Sequence, residues 1–175
     1  MDDKSFTLEF LKEQLERTNY WLSFAEAKNG ALVAINLATM AVIVELRSDE
    51  PVFCTIVLIL LIFSSIVCLT SFFPNLKTHS ENPKFNEDDS NLNILFYSDI
   101  AKLSEEQYIK KIVTNYGNEL DEETLDKTIA KDYMSEVHIN SCIAHRKFIM
   151  FKRAIKIDIL ALVLCILFFI AAAVL

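Results

Sequence analysis

Residues 52–73 read VFCTIVLILLIFSSIVCLTSFF, a stretch of 22 residues without a charged side chain. At a helix rise of about 1.5 Å per residue, this stretch can cross the roughly 30 Å hydrocarbon core of a bilayer. The short sequence RSDEP at 47–51 precedes it, and Pro74 follows it. The stretch predicts a transmembrane helix over 52–73, and therefore a membrane protein.

Two further apolar stretches lie on either side of this segment. The first is ALVAINLATMAVIVEL at 31–46, and the second, ILALVLCILFFIAAAVL at 159–175, has 17 uncharged residues. They predict transmembrane helices over 31–46 and 157–175, although a long buried helix of a soluble bundle is an alternative for the first. Hydrophobic residues make up 53% of the 175 residues, with 2 Gly and 3 Pro, which disfavours turn-rich folds. The predicted fold class is all-α, a helical membrane protein with three transmembrane helices and a small cytosolic helical region.

The remaining sequence predicts helices outside the apolar segments. An amphipathic helix is expected within 1–30, because small and apolar residues recur at alternating intervals of three and four. Ser5 can cap its start. In the central region, 74–156, Ser104 and Gln107 form a capping box that opens a helix to about Tyr116.

A last helix is expected from Leu125 to the end of the chain. Its packing face follows the same alternating intervals through Val137, Ser141, Ala144, Phe148, Phe151, Ile155, Asp158, Leu162, Cys165, Phe169 and Ala172. The residues of 75–92 are expected to form a loop, and the acidic stretch near 120, from Glu119 to Asp126, suits a solvated helix start.

The distribution of basic residues predicts the orientation. Four precede the first span, one lies between the first two spans, and twelve lie between Leu76 and Asp158. Because Lys and Arg favour cytosolic segments, the amino terminus and the region 74–156 are expected in the cytosol. The carboxyl terminus is then expected outside.

Several functional classes have no support in the sequence. A net charge of −7 argues against nucleic acid as a partner, and no phosphate-binding loop or catalytic motif is present. No enzyme activity, catalytic residue or cofactor is therefore expected. His138, Cys142 and His145 share one helical face, but the two histidines lie about 10 Å apart along the axis, so no metal site is expected.

Two groups of polar residues are candidates for function. Ser98, Asp99, Lys102, Arg146 and Lys147 offer polar and cationic groups for a small anionic ligand, although a solvated face is the common alternative.

Near the membrane edge, Lys28 and Asp158 can form an ion pair between two helices, or Asp158 can remain an interfacial carboxylate in water. Polar residues inside the first two spans are expected to form hydrogen bonds between helices, with pore lining as the alternative. They are Asn36, Thr39, Ser64 and Ser65.

Three stretches together resemble the transmembrane effectors of the Pycsar antiphage defence systems. They are WLSFAEAKNGALVAINLATMAVIVEL at 21–46, NILFYSDIAKLSEEQYIKKI at 93–112 and VHINSCIAHRKFIMFKRAI at 137–155. The middle stretch is the most specific, because it resembles a family pattern of the form F-[GS]-D-I-A-x-[LM]-[ST]-x-E-x-[YF].

The resemblance implies a two-part system. A partner cyclase makes a cyclic pyrimidine nucleotide, cUMP or cCMP, on phage infection. The effector is then expected to impair the bacterial inner membrane, so that the infected cell dies or stops growing before phage mature. The expected partners are the lipid bilayer, the nucleotide and further copies of the chain. The alternatives are a non-enzymatic scaffold that recruits a partner, and a regulatory or transporter subunit.

Overall fold

The computed structural model describes residues 3–45, 50–73, 92–116 and 129–174, and side chains within these ranges from Leu8 to Ala172. Every regular element in these ranges is a helix: α1 (Asp3–Glu45), α2 (Pro51–Thr70), α3 (Tyr97–Ile100), α4 (Glu105–Tyr116) and α5 (Ile129–Val174). Three of them, α1, α2 and α5, are long and apolar enough to cross a membrane. The prediction of an all-α protein with three membrane-crossing helices is therefore confirmed.

The chain divides into two compact units. The first is drawn from Met1–Phe24 and Asn75–Arg146, and the second from Ala25–Pro74 and Lys147–Leu175. Helices α1 and α5 each contribute residues to both units. Neither helix begins or ends at the predicted domain boundaries, 30 and 156. These boundaries stay predictions.

Some predicted features lie outside the described residues. They are the Ser5 side chain, the Arg47 connection, most of the predicted loop at 75–92, the acidic stretch near 120 and the predicted helix start at Leu125.

Local sequence explains where two of the shorter helices begin. The Gln107 backbone N–H donates to Ser104 Oγ at 3.2 Å, and the Ser104 N–H donates to Gln107 Oε1 at 2.9 Å. The predicted capping box is therefore present, and α4 extends to Tyr116, the last described residue of this range. Helix α2 begins at Pro51, whose missing N–H costs nothing in the first turn of a helix.

The first unit has its own apolar core. Tyr108 and Ile112 of α4 are buried there against α1, α5 and the segment around α3. The other buried members are Leu11, Ile94, Ile100, Leu103, Ala130, Met134 and Val137. Gln14 of α1 is also buried and donates to the Leu95 carbonyl at 3.0 Å, which ties the irregular segment before α3 to α1.

The second unit packs the apolar parts of α1, α2 and α5. Its buried residues form two clusters: Ile43, Cys54, Val57, Leu61 and Ala161, and Leu32, Cys68 and Ala154. Small residues such as Ala154 and Ala161 let helices approach closely, as is common in membranes. Large apolar side chains such as Ile35, Ile59 and Leu167 are exposed by about 60%, which suits contact with lipid tails.

The predicted packing face of α5 is partly wrong. Val137, Ser141 and Ala144 are buried, but Leu162 and Phe169 are 60% and 62% exposed. Ala154 and Ala161 are buried against α1 and α2 where the pattern placed Ile155 and Leu162, because a small side chain lets the neighbouring helices approach closely. The buried face has moved by one position, to Ala161, by the time α5 reaches its apolar part.

Candidate functional site

A polar cluster in the first unit joins α3 to α5. Ser98 Oγ lies 3.1 Å from His145 Nδ1. Lys102 Nζ donates to Asp99 Oδ1 at 2.7 Å, and the Asn93 backbone N–H donates to Asp99 Oδ2 at 3.3 Å. Both oxygens of the carboxylate therefore have a donor, and the cluster holds a cation, an anion, a hydroxyl and an imidazole.

The local sequence explains why these side chains point the same way. Ile100 and Leu103 are buried in the core of the first unit, and this burial fixes the position of the segment 98–103. The backbone N–H of Leu103 donates to the Ile100 carbonyl at 3.0 Å, so the chain turns tightly between them. Ser98 and Asp99 precede Ile100, Lys102 precedes Leu103, and all three side chains remain partly exposed.

The environment of His145 favours its neutral form. Burial lowers the pKa of His145, the Lys102 ammonium lowers it further, and the Asp99 carboxylate opposes the shift. A neutral imidazole can donate from one ring nitrogen and accept at the other. His145 can therefore hold the Ser98 hydroxyl and still offer its second nitrogen to a ligand.

Aromatic rings lie beside this cluster. The Trp21 ring centroid is 5.4 Å from that of Tyr97 and 6.5 Å from that of Phe96. Tyr20 and Phe24 extend the group along α1 and are 63% and 37% exposed. Flat apolar rings next to a cation and an imidazole can accept a ligand with both an aromatic and an anionic part.

The structure brings together most of the predicted ligand residues. Lys102 bonds to Asp99 and Ser98 bonds to His145, and the charges of Lys102 and Asp99 act on the same imidazole. Arg146 follows His145 on α5 and is partly buried. Lys147 is different: it belongs to the second unit, is 5% exposed, and places Nζ 3.0 Å from Glu26 Oε1. Ligand binding by Lys147 would require this pair to open.

His145 was not among the ligand residues predicted from the sequence. Its signal was its position directly before Arg146 in the stretch at 137–155. The three residues weighed as metal ligands separate, because His145 faces Ser98 while His138 Nε2 lies 2.9 Å from the Leu103 carbonyl oxygen and 3.8 Å from Cys142 Sγ. In the described ranges, no group of three His, Cys, Asp or Glu side chains can hold a metal ion.

A second polar group lies inside the second unit and joins its three helices. Asn36 Nδ2 of α1 donates to Ser64 Oγ of α2 at 3.2 Å and to Asp158 Oδ1 of α5 at 3.3 Å. Ser64 in turn donates to the Ala154 carbonyl at 3.2 Å. We call Asn36, Ser64 and Asp158 the polar junction.

The polar residues predicted to bond between helices divide into two kinds. The prediction is confirmed for Asn36 and Ser64. It is wrong for Thr39 and Ser65, whose hydroxyls donate to the Ile35 and Leu61 carbonyls of their own helices. Thr and Ser can bond four residues back along a helix, so a short polar side chain does not need a second helix.

Lys28 and Asp158 have different neighbours in the structure. Lys28 Nζ lies 5.3 Å from the centroid of Phe151 and 5.9 Å from that of Phe148. Asp158 accepts its hydrogen bond from Asn36, eight residues or about 12 Å of helix rise beyond Lys28. The Lys28–Asp158 pair stays a prediction, whereas Asp158 already has a neutral donor.

Comparisons with known proteins add a family to this geometry. The family model for the Pycsar effector protein domain matches residues 10–175. The chain is 28% identical over 170 residues to the Pycsar effector protein PtPycTM of Propioniciclava tarda, covering 91% of this chain and 76% of the relative. It is 27% identical over 169 residues to GmPycTM of Gulbenkiania mobilis, covering 82% of each chain. A third relative, SaPycTM of Staphylococcus aureus, is 26% identical over 130 residues, covering 71% of this chain and 73% of the relative. No solved structure matches.

Proposed function

The chain belongs to the Pycsar effector protein family, and from this membership we propose that it binds a cyclic pyrimidine nucleotide and then impairs the bacterial inner membrane. Family membership and the three apolar helices make it a membrane-located effector of antiphage defence. The nucleotide, cUMP or cCMP, comes from a partner cyclase. The result is abortive infection, in which the infected cell stops before phage mature.

The polar cluster with its adjacent rings is the proposed nucleotide site. A pyrimidine ring can stack on Tyr97 or Trp21, whose centroids are 5.4 Å apart. The cyclic phosphate carries one negative charge, and the cationic side chains of Lys102 and Arg146 can form ion pairs with it. Hydroxyl and imidazole groups of Ser98 and His145, at 3.1 Å, supply the neutral donors and acceptors that a ribose requires.

The polar junction supports the proposal that the apolar helices rearrange in the membrane. Asp158 has a carboxylate among apolar helices, and its Oδ2 is buried with no hydrogen-bond partner in the described residues. A charge held by one neutral donor inside a membrane protein is costly. This packing can therefore exchange for another arrangement at modest free energy, which a ligand-driven change requires.

The remaining parts of the proposal follow from composition. The amino terminus and 74–156 face the cytosol, where the nucleotide is made, and the carboxyl terminus lies outside. The effector acts without catalysis. Several copies associate, because three helices are too few to enclose an aqueous path.

A membrane-potential measurement tests this function. A voltage-sensitive dye is read in cells that express the chain with its cognate cyclase or with a catalytically dead cyclase, at equal protein level. Depolarisation with the active cyclase alone supports the proposal. Equal polarisation in both strains rejects it and favours a membrane scaffold.

Direct binding is tested with purified full-length chain in detergent. Trp21 is the single tryptophan, so its fluorescence reports on the rings of the proposed site. Added cUMP or cCMP should change this fluorescence, and Lys102→Gln should weaken the response. Lys110→Gln, an exposed lysine on α4, is the matched control. An unchanged signal with both nucleotides, or an equal loss in both variants, contradicts the site.

A further inference from the structure

The apolar parts of the three long helices are not level with one another. Three contacts set α2 antiparallel to α5 in one register: Phe53 stacks on Phe168 with centroids 4.1 Å apart, Ser64 Oγ bonds to the Ala154 carbonyl, and Lys147 Nζ lies 5.1 Å from the Phe72 centroid. In this register, the uncharged segment 52–73 of α2 lies level with about 146–167 of α5. The uncharged segment of α5 begins only at Ile159.

Helix α1 agrees with α2. Asn29 Nδ2 donates to the Lys147 carbonyl at 3.2 Å, so the apolar segment that begins at Ala31 starts near the level of Phe72. The apolar segments of α1 and α2 therefore lie at the same depth in the hydrocarbon core. The uncharged segment of α5 therefore begins about 13 residues, or roughly 20 Å of helix rise, beyond the level of Phe73.

Because of this displacement, basic residues of α5 lie level with the uncharged segment of α2. Lys152, Arg153 and Lys156 are all exposed, and they lie level with the part of α2 between Phe63 and Val67. That position is about 9 to 15 Å inside the end of the α2 segment at Phe73, by helix rise. The exposed apolar side chains of Phe63 and Ile66 on α2 share this depth.

If the hydrocarbon core is instead placed level with the uncharged segment of α5, it encloses two carboxylates, which is a higher cost. Glu45 and Glu50, both exposed, would then lie near the middle of the hydrocarbon. A carboxylate on a short side chain cannot reach the membrane surface from that depth, and a charge left in hydrocarbon is costly. Lys and Arg have long apolar stems that carry the charge toward phosphate.

We propose that Lys152, Arg153 and Lys156 bind lipid phosphate groups below the normal headgroup level, and so thin one leaflet around α5. The ligand is the phosphate of a membrane lipid, drawn to the protein because the three cations cannot remain in hydrocarbon unpaired. The thinning is present in the inserted protein itself. It does not depend on the nucleotide or on the proposed trigger.

The first test measures retained lipid. Native mass spectrometry of the purified full-length chain with added phosphatidylglycerol should show a several-fold loss of bound lipid in the variant K152Q/R153Q/K156Q. The control K12Q/R17Q/K110Q neutralises three exposed cations of the first unit and should retain lipid, as should K152R/K156R. Equal retention in both neutralised variants, or displacement of the lipid by inorganic phosphate, overturns the proposal.

The second test reads polarity at the depth of the cations. Trp21→Phe with Phe63→Trp moves the single tryptophan to the level of Lys156, on an α2 position whose side chain is 56% exposed. In vesicles of phosphatidylcholine and phosphatidylglycerol, adding K152Q/R153Q/K156Q should shift the emission of the relocated tryptophan to shorter wavelength. No shift, or a change of oligomeric state without loss of lipid, overturns the proposal and assigns the cations to another surface.

Discussion

Asn36 Nδ2 lies 3.3 Å from Asp158 Oδ1, so a hydrogen bond to a carboxylate joins two membrane-crossing helices. The same nitrogen donates its second hydrogen to Ser64 at 3.2 Å. One amide therefore connects α1 to both of the other long helices. Because a hydrogen bond to a charged group contributes more than a neutral one, the Asn36–Asp158 bond contributes more than the Asn36–Ser64 bond.

Asn36→Leu should destabilise the protein by about 1.5 to 3 kcal/mol, the usual worth of a hydrogen bond to a charged group. The Asp158 carboxylate would lose its donor. Unfolding in detergent, followed by circular dichroism, measures the change. Asp158→Leu in the Asn36→Leu background should recover part of the loss, giving a coupling of the two positions. Thr39→Val is the control, because Thr39 bonds within α1, and additive effects at 36 and 158 would contradict the junction.

Glu26→Gln should destabilise the protein by about 1 kcal/mol, because the buried Lys147 ammonium loses its partner while Glu26 itself is partly solvated. Lys147→Met should cost less, since it removes the buried charge and keeps an apolar stem near Phe72. The order of the two midpoints in thermal unfolding checks this. A larger loss for Lys147→Met would mean that the cation itself is needed.

Gly30→Ala should stabilise the protein by about 0.5 to 1 kcal/mol, the usual difference between Gly and Ala inside a helix. Gly30 lies within α1, and a Cβ added there meets no atom within 4 Å. Thermal unfolding in detergent should show a higher midpoint. A lower midpoint would indicate that another molecule of the assembly approaches Gly30 closely.

Stability should fall as the pH drops below about 6.5, the ordinary pKa of histidine. The pKa of His145 is lowered in the folded chain, so below pH 6.5 the unfolded chain binds a proton that the folded chain does not. Stability therefore rises with pH through the window between the lowered pKa and 6.5. Unfolding midpoints of wild type and His145→Gln, compared at pH 5.5 and 7.5, check this. An equal pH dependence in both would assign the effect to other groups.

Cysteine labelling in intact cells should show position 110 protected from an impermeant reagent, because the region 74–156 is predicted to be cytosolic. Lys110 is exposed on α4, so Lys110→Cys in a chain whose four cysteines are replaced by serine gives one accessible thiol. Labelling after cell lysis is the positive control. Labelling without lysis would reverse the orientation.

The sequence by itself determined the helical architecture. Uncharged runs of 22 and 17 residues set the apolar helices, and Ser104 with Gln107 set the start of α4. These features depend on neighbours within one or two turns, which the sequence contains directly. The stretch at 93–112 also held the Ser98, Asp99 and Lys102 group together, because all three lie within five residues.

Only the tertiary structure decided which distant residues meet. It brings Ser98 next to His145, 47 residues away, and it places Asp158 where it accepts a hydrogen bond from Asn36. It also set α5 out of level with α1 and α2, which no single helix reveals. Helical periodicity fixes the face of a residue, but partners and depth depend on how each helix slides and rotates against its neighbours, and that is set by the whole packed surface.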